Sequence, residues 1–126
     1  MTSTNELTVA VVGSRSFRDY RLMCKELDTL RKEKSGYTLR FVSGGAQGAD
    51  KLAEQYAEEH DLKIDVLKPD WRPNGVYDPQ AGLNRNTDIV QAAQMVIAFW
   101  DGVSTGTRDT KRKAENLGLE TRVIRY

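Results

Sequence analysis

Short β-branched apolar runs alternate along the chain with longer stretches whose apolar residues recur every three or four positions. Leu7 to Val12 (LTVAVV) ends at Gly13 and predicts a buried strand that leaves into a turn. Asp19 stands where a helix cap belongs, and Tyr20, Met23, Cys24, Leu27 and Leu30 share one face of the helix it opens. Leu39 to Ser43 predicts the second strand, and Ala49, Leu52, Ala53, Tyr56 and Ala57 form the stripe of a second helix that runs to His60. Lys63 to Leu67 (KIDVL) alternates as a third strand, stopped by Pro69. The thirteen residues DWRPNGVYDPQAG hold two prolines and two glycines and predict an irregular flap of functional length. A third helix is expected over Asn84 to Ala93, with Asn86, Ile89, Val90 and Ala93 inward and Arg85 at the edge of that stripe. Met95 to Trp100 (MVIAFW) has the continuous apolar character of a central parallel strand covered on both faces. A polar helix from Thr105 to Leu117, closed by Gly118, and an edge strand from Thr121 to Arg125 complete the pattern.

Strands alternating with helices imply right-handed crossovers and a parallel sheet covered on both sides. The expected fold class is therefore α/β: a Rossmann-like three-layer α/β/α sandwich with about five parallel strands. The usual order for such a succession is 3-2-1-4-5, which opens a crevice between strands one and four. A length of 126 residues suits a single domain over 1–126.

Composition narrows the partners. Nineteen Lys and Arg against eighteen Asp and Glu leave a net charge of +1, so no overall field draws the protein to nucleic acid or a membrane surface. Cys24 is the single cysteine and His60 the single histidine, so neither an internal disulfide nor a metal site of ordinary ligand spacing is expected. Cys24 reads as a packing thiol. His60 reads as a structural residue at the negative end of its helix. The start of the chain carries no basic leader, and no segment approaches the length of a membrane span, so a cytoplasmic protein without membrane partners or a cofactor is expected.

The chemistry lies in four turns. GSRSF, SGGAQGAD, DWRPNG and WDGVSTGT each follow the C-terminal end of a strand and so converge on one rim. Glycine lets backbone approach a ligand without a Cβ in the way, and amides at a helix start present positive dipole ends to an anion. Phosphate is the expected guest, carried by a nucleotide-like small molecule. Ser14, Ser43, Ser104, Thr105 and Thr107 add neutral donors, while Arg15 and Arg85 supply charge and paired hydrogen bonds. Asp50 opens the second helix, where its carboxylate either caps backbone amides or meets ribose hydroxyls. Trp71 and Tyr77 in the flap either stack on a base or anchor the loop, and Trp100 reads as packing. By itself SGGAQGAD is neither a Walker loop nor a dinucleotide fingerprint.

Taken together, Gly13 to Phe17, Ser43 to Asp50, Ala81 to Asn86 (AGLNRN), the strand IAFW and the Gly106-Thr107 pair resemble the YspA/YpsA-related branch of the SLOG superfamily in order and spacing. The resemblance covers nearly the whole chain. It implies a Rossmann-like fold that binds nucleotides, nucleotide derivatives or nucleic acid, with Lonely Guy phosphoribohydrolases and the DNA-processing protein DprA among the relatives. It also implies a homo-oligomer, most simply a dimer. Gly106-Thr107 matches the phosphate-binding turn of the phosphoribohydrolases, and Arg85 matches an arginine the branch carries beside its ligand. The position of their catalytic glutamate is Thr110 here, and a hydroxyl cannot replace the carboxylate that stabilises an oxocarbenium-like state. Asp50, Asp101 or Asp109 remain as substitutes, of which Asp50 and Asp101 fall on the rim.

The expected ligand contacts are Gly13, Ser14, Arg15, Ser43, Gly44, Gly45, Ala46, Gly48, Asp50, Trp71, Arg85, Asn86, Asp101, Ser104, Gly106 and Thr107, with Arg85 and Asp50 catalytic if the protein is an enzyme. The leading expectation is a module that senses or sequesters a phosphorylated nucleoside or an ADP-ribose-like molecule. The alternatives are hydrolysis of a nucleoside monophosphate to base and ribose phosphate, and binding of single-stranded nucleic acid through Arg108, Lys111, Arg112, Lys113, Arg122 and Arg125.

Overall fold

The structure, a computed structural model, describes residues 5–126. In chain order it contains β1 (Glu6–Gly13), α1 (Tyr20–Glu33), β2 (Thr38–Ser43), α2 (Ala49–Glu59), β3 (Ile64–Val66), α3 (Ala81–Ala92), β4 (Met95–Trp100), α4 (Thr105–Asn116) and β5 (Glu120–Arg125). All strand pairs are parallel and the sheet runs β3-β2-β1-β4-β5. The expected Rossmann-like architecture and strand order are those of the structure. No helix among the described residues is long and apolar enough to cross a membrane.

Strand alternation divides the core into two layers. Val9, Val11, Phe41, Ile97 and Phe99 face α1 and α2, where Met23, Leu27, Leu30 and Tyr56 are fully buried. Ala10, Val12, Val42, Val96 and Ala98 face the other side, against Ile89 and Val90 of α3 and Ala114 of α4. Burying each large apolar side chain contributes about 1.5–3 kcal/mol, so the β1–β4 pair at the centre of both layers anchors the fold. Because every strand runs the same way, all the strand ends finish on one rim.

Local chemistry sets the boundaries. Asp19 caps α1, its carboxylate accepting from the amide of Leu22 at 3.0 Å. His60 follows α2, with Nδ1 2.9 Å from the carbonyl oxygen of Tyr56 and its ring stacked on that side chain. Gly118 takes a left-handed φ of +74° just after α4. Two boundaries differ from expectation. β3 keeps only three residues, and α3 begins at Ala81 because Asp78 gathers the amides of Gln80 and Ala81 and starts the helix inside the expected flap.

Candidate functional site

At the rim, between the ends of the neighbouring strands β1 and β4 where the strand order switches, a cleft of about 610 Å³ opens on the α3–α4 side of the sheet. Small-molecule sites fall in this size range and favour this position in doubly wound folds. Twelve of the expected residues line it: Gly13, Ser14, Arg15, Ala46, Asp50, Trp71, Arg85, Asn86, Asp101, Ser104, Gly106 and Thr107. Ser16, Gly82 and Leu83, which fall inside the GSRSF and AGLNRN motifs but were not among the expected contacts, line it too, as do Val12 and Ile89, which lie outside any motif. The positions of Val12 and Ile89 were open to inference. Val12 shares the face of Ala10 by strand alternation, and Ile89 lies one turn beyond Arg85.

Ser43, Gly44, Gly45 and Gly48 do not line the cleft, and each has a structural reason. Ser43, two residues beyond Phe41, shares the face that α2 covers and is fully buried. Its hydroxyl has no hydrogen-bond partner among the described residues. A Cβ on Gly44 would lie 2.8 Å from Cζ of Arg85 and 2.9 Å from Oδ2 of Asp50. One on Gly45 would lie 2.8 Å from Cγ1 of Val66, and one on Gly48 would lie 2.5 Å from the carbonyl oxygen of Arg15. These glycines let chain segments cross at close range.

The expected anion seat on this turn is already filled. Oδ2 of Asp50 accepts from the amides of Gly44 at 3.1 Å and Ala46 at 3.2 Å. Asp50 therefore closes the turn before α2, while Gly48 stands at the start of the helix without a side-chain cap. Burial pushes the Asp50 carboxyl up to about 6, against the opposing pull of the two amides and the Arg85 guanidinium. Arg85 donates from Nη1 to the carbonyl oxygens of Gly44 at 2.5 Å and Leu67 at 3.4 Å, and from Nε to Oδ1 of Asn86 at 3.0 Å. Nη2 is left without a hydrogen bond among the described residues. Burial lowers the pKa of this arginine, while Asp50 beside it acts the other way.

Asn86 is a brace. Its amide nitrogen donates to the carbonyl oxygen of Gly106 at 3.3 Å and to Oδ2 of Asp109 at 3.1 Å, so it ties Arg85 to the first turn of α4. Asp109 is held by Asn86 and by Lys113 at 2.9 Å and does not line the cleft. Asp101 is also committed. Its Oδ1 accepts from the amides of Val103 and Ser104 at 2.9 and 2.8 Å and from the Ser104 hydroxyl at 2.9 Å, and these amides bring its carboxyl down to about 2. The Ser14 and Ser104 hydroxyls are hydrogen-bonded to each other at 2.7 Å, which joins the turns after β1 and β4.

What remains open is the start of α4. Ser104 makes no side-chain cap there, and a Cβ on Gly106 would meet nothing within 4 Å. First-turn amides have no partner within their own helix, so those of Thr105, Gly106 and Thr107 carry the positive end of the dipole at the cleft. α3 likewise begins beside the cleft without a side-chain cap. Trp71 is half-exposed over the α3 start, its ring 3.4 Å from where a Cβ on Gly82 would stand and stacked at 6.4 Å on Tyr77. Thr110 is buried in the lining and donates to the carbonyl oxygen of Gly106 at 3.2 Å.

The family model described as YspA, cpYpsA-related SLOG matches residues 7–73. The chain belongs to that SLOG family. The Gene 61 protein of Mycobacterium phage D29 is 35% identical over 118 residues, covering 88% of this chain and 90% of that protein. The X-ray structure of the structural-genomics target TM1055 superposes with a TM-score of 0.63 at 19% identity, covering 94% of this chain and 72% of that one, a likeness of fold. The matched segment of this SLOG protein ends in the flap, so Arg85, Asn86 and the α4 turn lie beyond it.

A second hollow of the SLOG chain, about 560 Å³ among Asp28, Arg31, Lys32, Tyr37 and Leu62, lies beyond the opposite ends of the strands. The Tyr56 hydroxyl beside it is already bonded to Asp28 at 2.6 Å. Among the described residues no His, Cys, Asp and Glu side chains gather in a group able to hold a metal ion.

Proposed function

We propose that this SLOG protein binds a phosphorylated nucleoside or nucleotide-derived small molecule in the rim cleft, as a sensing or sequestering module. The observation that carries the proposal is the uncapped start of α4, whose Gly106 and Thr107 open into the cleft beside Ser14, Ser104 and Arg15. The phosphate sits on these amides. The free edge of Arg85 reaches the sugar or a carbonyl group, and Trp71 offers a flat surface to the base.

Two features favour binding over turnover. Thr110 presents a hydroxyl already engaged with Gly106, and the Asp101 carboxylate is engaged with its own turn. One observation supports the second possibility, N-glycosidic hydrolysis: Asp50 lines the cleft beside Arg85 with its carboxyl raised to about 6, within reach of acid–base work near neutrality.

A thermal-shift screen against nucleoside monophosphates, NAD and ADP-ribose tests the proposal, because a ligand at a hundred times its Kd adds about 2.7 kcal/mol of stability. The expected result is a shift in the wild type that Arg85→Ala abolishes, with no base released on chromatography. No shift with any of these ligands overturns the binding function. Base release from a nucleoside monophosphate, lost in Asp50→Asn, establishes the hydrolase instead.

A further inference from the structure

Trp100 ends β4 beside two arginines that form no ion pair among the described residues. The guanidinium carbons of Arg108 on α4 and Arg125 on β5 lie 5.6 and 5.4 Å from its ring centroid. Arg125 is the β5 residue directly opposite Trp100 in the sheet register. Gly102, with φ +89°, is the residue that admits it, because a Cβ there would lie 2.6 Å from Cζ of Arg125. Trp100 is thus a partly exposed surface residue rather than interior packing, and both arginines are exposed.

The patch adjoins the cleft. Nε1 of Trp100 donates to the carbonyl oxygen of Ser104 at 3.1 Å, and Ser104 lines the cleft. Ser16, another lining residue, is hydrogen-bonded to the Tyr126 hydroxyl at 2.8 Å, and Tyr126 packs edge-on against Phe17. Stacking on an indole holds a guanidinium flat and leaves its N–H edge free, the geometry suited to a phosphate. Two cations near one ring also repel each other, a repulsion that a bound anion reduces.

We propose that Arg108 and Arg125, held on Trp100, form a second anion subsite continuous with the rim cleft, so that the ligand is a nucleoside diphosphate or a derivative of one rather than a monophosphate. The subsite rests on the cleft being a nucleotide site. A small ligand is favoured over a polynucleotide because the rest of the basic run is broken up by acids. Lys111 pairs with Glu115 at 3.1 Å, Lys113 with Asp109 at 2.9 Å, and Arg122 with both Glu33 at 2.6 Å and Glu120 at 2.8 Å. Within that run, Arg112, one turn beyond Arg108, is the one further cation without an ion pair among the described residues, which is too little to follow a phosphate backbone.

Calorimetric titration with AMP and with ADP tests this in the wild type, in Arg108→Gln/Arg125→Gln and in Arg108→Lys/Arg125→Lys, each checked for an unchanged unfolding transition. The wild type is expected to bind ADP about tenfold or more tighter than AMP, from the added charge-assisted contacts. The Gln pair should bind the two nucleotides equally with AMP affinity unchanged, and the Lys pair should recover part of the preference. An ADP preference that survives in the Gln pair, or no preference in the wild type, overturns the subsite and leaves the cleft standing. Failure of both nucleotides to bind overturns the cleft as well. Salt-sensitive binding of an oligo-dT by the wild type, lost in the Gln pair, replaces the small ligand with nucleic acid.

Discussion

One carboxylate oxygen of Asp50 lies 3.1 Å from the amide nitrogen of Gly44 and accepts its hydrogen bond, so a buried side chain of the protein occupies the turn a ligand anion would otherwise seek. Burial dominates the surroundings of that carboxyl and lifts it from 3.8 to about 6. The folded state therefore holds the proton more tightly than the unfolded chain. The stability this group contributes is complete below about pH 4 and is lost as the pH rises through about 6. Asp50→Asn keeps an oxygen for the two amides and removes the charge. It is expected to exceed the wild type in stability at about pH 7.5 by on the order of 2–3 kcal/mol, with the difference vanishing near pH 4. Denaturant unfolding at both pH values measures this, and a difference that does not change with pH contradicts it.

Two glycines of the rim should respond oppositely to the same change. At Gly48 the backbone is left-handed, with φ +82°, and a Cβ would press on the carbonyl oxygens of Ser14 and Arg15, whereas at Gly106 the space is open. Gly48→Ala is expected to destabilise by at least about 2 kcal/mol, from backbone strain and overpacking together. Gly106→Ala should leave stability unchanged or raise it by up to about 1 kcal/mol, as alanine does in a helix. Its methyl group stands in the cleft, so nucleotide affinity should fall. Unfolding curves and titrations on the two variants separate these outcomes, and a Gly106→Ala protein that binds normally argues against the α4 seat.

The wall of the cleft above α3 carries its own test. Trp71 is 43% exposed, so Trp71→Ala should change stability by no more than about 0.5 kcal/mol. Base stacking on an aromatic ring contributes about 1–3 kcal/mol, so the wild type should bind AMP more tightly than ribose 5-phosphate and the variant should lose most of that preference. An undiminished preference in the variant assigns Trp71 to anchoring the loop with Tyr77.

The layout of the sheet was legible because parallel strands covered on both faces must be continuously apolar, as MVIAFW is, and because Gly13, Ser43 and Asp101 mark where strands leave the core. The convergence of four turns on one rim follows from that direction alone. Less legible was which face of the sheet each rim residue serves. Ser43 follows Phe41 at a spacing of two and so belongs under α2, an inference alternation permitted but the glycine-rich motif obscured. The sequence could not reveal how Asp50 turns back onto Gly44, because a capping carboxylate and a ligand-binding one look alike until the chain is closed. The ring of Trp100 belongs to the same class: its place beside two arginines depends on the β4–β5 register and on Gly102 yielding its space to Arg125.

The central claim is that the open start of α4 seats a phosphate, and titration of the ¹⁵N-labelled protein with AMP, followed by backbone amide shifts, tests it most directly. The largest changes are expected at Gly106 and Thr107, with smaller ones at Ser14 and Arg15 and none at Gly44, whose amide Asp50 already holds. Saturable shifts centred instead on Asp28, Arg31 and Tyr37 in the hollow at the opposite end of the sheet, or no shifts at all, would contradict it.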